Sequence, residues 1–85
     1  MSRLHADVTC TTTEDGMVLL NQRTGRYWQL NATGATVLQA FLNGSTLQQI
    51  SDALVQARPV SREHAEADVN ALIDHVTRAG LVSIP

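Results

Sequence analysis

The chain has 85 residues, 44% of them hydrophobic and 16% charged, with a formal net charge of -2. One domain around one core fits that length, and the negative balance argues against a phosphate-backbone ligand, which needs surplus Lys and Arg. The longest apolar run, Met17 to Leu20, is far too short for a membrane span, and a lone Cys10 leaves no internal disulfide framework. The opening MSRLHADVT has no apolar signal segment, so a cytoplasmic protein is expected.

Val8 to Thr13 (VTCTTT) is β-branched, with polar residues on alternate positions, and predicts a first strand. Glu14-Asp15-Gly16 reads as a tight hairpin turn, with Asp-Gly supplying the positive φ angles such turns use. Met17 to Asn21 is the second strand, with Met17 and Leu19 on one face and Val18 and Leu20 on the other. Gln22 to Gly25 turns the chain, and Arg26 to Leu30 makes the third strand of a meander. Each outer strand of a meander keeps unpaired backbone groups along one side.

Asn31 is placed to cap a helix over Ala32–Leu42 that ends at Asn43-Gly44. Ser45 with Gln48 fits a capping box for a second helix running to about Gln56, with Leu47, Ile50 and Leu54 inward. Arg58-Pro59-Val60 breaks it, and Ser61 opens a third helix from Arg62 to Ala79. There Ala65, Val69, Leu72, Ile73 and Val76 follow the helical period. Gly80 stops that helix, and Leu81 to Ile84 suggests a short tail strand. The fold class is α+β: a winged-helix-turn-helix-like domain with a three-stranded antiparallel sheet followed by three helices. It is expected to occupy residues 1–85 as a single unit, with an ordered core of about 8–84.

Catalysis needs a nucleophile, a base and a group to orient them. Cys10 has no evident base beside it and reads as a small buried hydrophobe. His64 and His75 lie ~20° apart around the third helix but ~16 Å apart along it, too far to share one ion. A local contact between His64 and Asp68, one turn later, is the simpler expectation. His5 falls in a frayed N-terminus. Glycines occur singly at turns and helix ends, so no phosphate-binding loop is present. Ser51-Asp52 reverses the order of an acyl-carrier modification site and follows three strands, which removes that reading. No enzyme activity, metal or cofactor is expected.

A winged-helix DNA-binding regulator is the alternative that the element order suggests. Its recognition helix would open with SREHAEAD, presenting Glu63, Glu66 and Asp68 to phosphate. The third strand offers a different use. Its YWQL segment has high β-propensity and no proline, and a peptide could add beside it as a fourth strand.

The run Thr24-Gly25-Arg26-Tyr27-Trp28-Gln29-Leu30-Asn31-Ala32-Thr33-Gly34-Ala35, with a helix ending Leu42-Asn43-Gly44-Ser45-Thr46, resembles the PqqD-like family. The likeness is strongest to the stand-alone recognition proteins of lasso-peptide biosynthesis. Trp28-Gln29-Leu30-Asn31 holds the family's aromatic-x-Leu-Asn strand end, and the resemblance runs from about Val8 to Ile84. Val37-Leu38 departs from it, because many relatives carry a large aromatic there.

The resemblance implies a RiPP recognition element, which binds the leader of a ribosomally made precursor peptide and performs no bond chemistry. The leader would add to the third strand and lie against the third helix. The implied clamp is Arg26, Tyr27, Trp28, Gln29 and Leu30 on one side, with Ala65, Asp68, Val69, Leu72 and Val76 supplying the other. Implied partners are the precursor leader peptide, a cysteine-protease-like leader peptidase and an asparagine-synthetase-like macrocyclase, with no nucleic acid and no membrane. Strand alternation puts Trp28 and Leu30 on the core face and Tyr27 and Gln29 on the other. A pure packing or oligomerisation unit is the third possibility.

Overall fold

The computed structural model describes residues 3–57 and 59–83. A two-residue strand, β1 (Arg3–Leu4), comes first, then β2 (Val8–Thr13), β3 (Gly16–Asn21) and β4 (Tyr27–Asn31). Helices α1 (Ala32–Leu42), α2 (Leu47–Ala57) and α3 (Arg62–Arg78) follow, and β5 (Val82–Ser83) ends the order. The predicted third strand is therefore β4. Sheet order is β2-β3-β4, antiparallel throughout, and β1 pairs with β5 in a separate two-stranded ladder.

That small ladder corrects the reading of a frayed N-terminus. Arg3 faces Ser83 and Leu4 faces Val82, while the His5 N–H donates to the Leu81 carbonyl at 2.9 Å. The tail strand is present over Val82–Ser83; Ile84, like the helix-breaking Arg58, lies outside the described residues.

The β2–β3 hairpin closes on Glu14 and Asp15, with Thr13 opposite Gly16. Neither loop residue has a positive φ, so the left-handed Asp-Gly turn expected from the sequence does not form. Gly16 is needed for closeness instead. A methyl group on it would lie 2.0 Å from the Leu30 carbonyl oxygen and 2.7 Å from the Asn31 carbonyl carbon. Only glycine lets the end of β4 come down onto the start of β3.

Asn31 serves two elements at once. It is the last residue of β4 and the N-cap of α1, accepting a 2.8 Å hydrogen bond from the Gly34 N–H through Oδ1. Strand and helix meet with no loop between them. The capping box of α2 is one residue later than expected. Thr46 N–H donates to Gln49 Oε1 at 2.8 Å, and Gln49 N–H donates to Thr46 Oγ1 at 3.1 Å. Ser45 is occupied with closing α1, since its N–H donates to the Ala40 carbonyl. Ser61 caps α3 as predicted, accepting from the His64 N–H.

Two clusters make up the core. Met17, Leu19, Leu38, Val76 and Leu81 join the sheet to α1 and the end of α3, with Trp28 and Leu30 packed alongside. Val37, Ile50, Leu54, Ala65, Val69 and Ile73 join the three helices. Phe41 and Leu72 touch both clusters. An Arg62–Asp52 ion pair ties the start of α3 to α2.

Cys10 corrects a second reading. It stands opposite the fully buried Leu19 and so shares the core-facing side of the sheet, yet it is exposed. The α1 helix packs under β3 and β4, and β2 projects past that cover. Partial desolvation raises the Cys10 thiol above its ordinary value, which disfavours a reactive thiolate. Ser51, by contrast, is buried and donates to the Leu47 carbonyl at 2.9 Å, so it presents no hydroxyl for modification.

Candidate functional site

The hydrogen-bond phase of the sheet decides which backbone groups of β4 are free. Asn21 N–H donates to the Arg26 carbonyl, and Gln22 N–H donates to the Asp7 carbonyl, both at 2.8 Å. Bonded and non-bonded pairs alternate along an antiparallel ladder. Odd-numbered residues of β3 therefore bond to β4 and even-numbered ones to β2. On β4, Trp28 and Leu30 exchange bonds with Leu19 and Met17, whereas Tyr27 and Gln29 turn their N–H and C=O groups away from β3. Among the described residues no strand pairs with that outer border.

Side chains alternate the other way. Trp28 and Leu30 are half-buried against the sheet core, and Gln29 is exposed. Tyr27 is 68% exposed and stands directly opposite Leu20, itself 37% exposed. The expected division of faces is the one seen. Arg26 is exposed, just before the strand, with its carbonyl turned toward β3.

Beside the C-terminal end of β4 lies a cleft of about 340 Å³. Asn31, Thr33, Gly34 and Val37 form one wall, Leu54 of α2 its back, and Asp68 and Leu72 of α3 the other wall. This selects the flank of α3 that borders the strand: the one carrying Asp68. Ala65, Val69 and Val76 are 1%, 1% and 0% exposed, and belong to the core beneath. Of the five α3 candidates, Asp68 and Leu72 reach the cleft. Asn31, Thr33, Gly34, Val37 and Leu54 also line it and are not among the clamp residues expected from the sequence.

The expected His64–Asp68 contact does not form; among the described residues, ion pairs join His5 to Asp7, Arg23 to Asp7, Arg62 to Asp52 and Arg78 to Asp74. Asp68 is thus exposed at the cleft with no cation of the described residues upon it. Glu63 and Glu66 are also exposed on α3, so the helix that would enter a DNA groove presents acid. Among the described residues no group of three potential metal ligands occurs, and no helix is long and apolar enough to cross a membrane.

A family model for coenzyme PQQ synthesis protein D (PqqD) matches residues 16–82, from the start of β3 to β5. The chain belongs to the PqqD family. Among solved structures, this PqqD-family chain is similar to one described as lasso peptide synthetase B1 complexed with the leader peptide. That match has 35% identity, a TM-score of 0.91 and coverage of 98% of each chain. It is also similar to TbiB1 in complex with the TbiA(beta) leader peptide, with 25% identity, a TM-score of 0.84, and coverage of 95% of this chain and 94% of that one. No curated protein matches the chain.

Proposed function

We propose that this PqqD-family protein binds the leader segment of a ribosomally synthesised precursor peptide by strand addition to β4. It then presents that leader to a cysteine-protease-like leader peptidase and an asparagine-synthetase-like macrocyclase in lasso-peptide biosynthesis. It acts in the cytoplasm as a binding module and catalyses nothing itself. The observation that carries this reading is the open Tyr27–Gln29 border standing beside a cleft. The 98% mutual coverage with a synthetase B1 bound to its leader supports the choice of ligand.

The physics of the arrangement suits a presenter. Tyr27 and Gln29 together offer two N–H and two C=O groups to an incoming strand. At about 1 kcal/mol net each, those bonds supply roughly 4 kcal/mol before ordering costs. Micromolar binding needs about 8 kcal/mol, so side chains must supply the remainder. A main-chain ladder accepts any sequence, and the cleft then selects. Once held, the leader brings the scissile bond to any docked enzyme at an effective concentration of about millimolar.

Amide hydrogen exchange of the protein, alone and with a synthetic lasso-precursor leader peptide, tests the reading. The Tyr27 and Gln29 amides exchange freely in the unbound protein and become protected on binding, whereas Trp28 and Leu30 are protected throughout. A leader that binds without protecting Tyr27 and Gln29 would rule out strand addition. A leader that does not bind would remove the function.

Asp68 gives a second check. Standing exposed on the cleft wall, it accepts a hydrogen bond or pairs with a basic leader side chain. Asp68→Asn lowers leader affinity about threefold at low salt, the scale of a solvated ion pair, and flattens the salt dependence. Equal affinity and salt dependence in a fluorescence-anisotropy titration would take Asp68 out of the site.

A further inference from the structure

A second groove, of about 290 Å³, opens between α1 and α2. It shares Thr33, Val37 and Leu54 with the cleft beside β4, so the two hollows adjoin across those side chains. Its floor is Val37, Ile50 and Leu54, all buried, and its rim includes Ala40, Ala53 and Ala57. Packed helices ordinarily interdigitate their facing side chains. Here the facing positions are small and the gap stands open.

The groove's chemistry limits its occupant. None of its lining residues is charged. Two of its polar side chains are taken up by their own helices: Thr36 Oγ1 donates to the Ala32 carbonyl at 3.0 Å, and Gln49 Oε1 accepts from the Thr46 N–H. The volume is at the lower limit for a small-molecule site, which also wants several convergent polar groups. One large apolar side chain fits these limits.

We infer that the α1–α2 groove is a second anchor site for the same peptide, taking a large apolar side chain that lies outside the strand-forming segment. This rests on the leader-binding reading above. It also answers the shortfall left by the backbone ladder, because burying such a side chain is among the larger gains one residue can make. Polarity of the chain follows too. Addition in the antiparallel sense of the strands already in the sheet sets the peptide's N-terminal end beside Asn31, where the cleft adjoins the groove. The anchor residue therefore precedes the paired segment, and the leader's C-terminal end leaves past Tyr27.

Ala53 is exposed at the rim, so Ala53→Phe fills the groove without disturbing the core. Anisotropy titration of the full chain with the fluorescein-labelled synthetic leader should show affinity about tenfold lower for Ala53→Phe. Ala71→Phe, exposed on the outer flank of α3, should stay within about twofold. Ala57→Phe, one turn along α2, repeats the test if Ala53→Phe melts early. An alanine scan of the leader should reveal one large apolar position upstream of the strand segment, costly with the wild type and nearly silent with Ala53→Phe. The inference fails if the leader binds the wild type and is lost with Gln29→Pro, yet binds Ala53→Phe and Ala57→Phe unchanged. It also fails if the upstream position and Ala53→Phe act additively. No binding to the wild type overturns the leader-binding reading itself, and the anchor with it.

Discussion

Gln29→Pro should cost at least about thirtyfold in leader affinity while the domain stays folded. Proline removes the N–H of residue 29, and that N–H faces away from β3. The β3–β4 ladder therefore loses nothing. On an edge strand with its N–H directed outward, proline is tolerated, and it asks the preceding residue to stay extended, as Trp28 already is. A carbonyl of the bound leader then has no donor on β4 and meets the proline ring instead. That penalty is about 2 kcal/mol, or roughly thirtyfold, before the bulk of the ring is considered. Trp28→Pro is the internal comparison. Its N–H points to Leu19, so the same change one residue away strikes the sheet and lowers the melting temperature. Calorimetry for stability and anisotropy for binding separate the two. If Gln29→Pro binds leader as well as the wild type, strand addition at β4 is not how the peptide is held.

Trp28→Ala and Tyr27→Ala should likewise behave as opposites, though they are neighbours. Trp28 packs against the cluster of Met17, Leu19 and Leu38. It is half-buried, so truncation costs toward the lower end of the core range, about 3 kcal/mol. In a domain this small that is a large share of total stability, and the midpoint falls by roughly 12–24 °C. Tyr27, at 68% exposed, loses little folded-state packing when truncated. Its melting temperature should move by no more than a few degrees, while leader affinity falls about fivefold through lost contact at the border. A stable Trp28→Ala together with an unfolded Tyr27→Ala would reverse the faces assigned to β4.

The strands and helices were legible because their periods are clear. VTCTTT is β-branched, MVLL is a short apolar run between turn residues, α3 repeats at the helical spacing, and Asn31 and Ser61 stand where N-caps belong. The misreadings have particular causes. Ser45-x-x-Gln48 and Thr46-x-x-Gln49 satisfy the same pattern, and only the engagement of the Ser45 N–H by the end of α1 chooses between them. Cys10 does share the face of Leu19, but the sequence says nothing about how far the helices extend beneath a strand, so its expected burial fails. The β1–β5 ladder is two residues long and joins opposite ends of the sequence, too short to leave a period. His64 and Asp68 share a helix flank, yet spacing permits a contact without compelling it.

For the candidate site, the free border was readable from the meander, whose third strand has a sequence-adjacent neighbour on one side only. The depth of each α3 residue was not. Ala65, Val69 and Val76 form one stripe with Leu72, and a single apolar face looks the same whether it meets a core or a ligand. The α1–α2 groove was invisible for a related reason. Alanine and threonine at helical spacing give a weak pattern, and only the crossing of two helices turns their smallness into space.

Pairing between β1 and β5 brings Arg3 and Ser83 into register, so the first and last of the described residues stand side by side. A unit built like this can be spliced into a surface loop of a larger polypeptide as readily as it can be appended to one. A host enzyme would need only two closely spaced attachment points. A circularly permuted version, with residues 3 and 83 bridged by a short Gly-Ser segment and the backbone reopened at Thr24-Gly25, would keep every strand partner of β4.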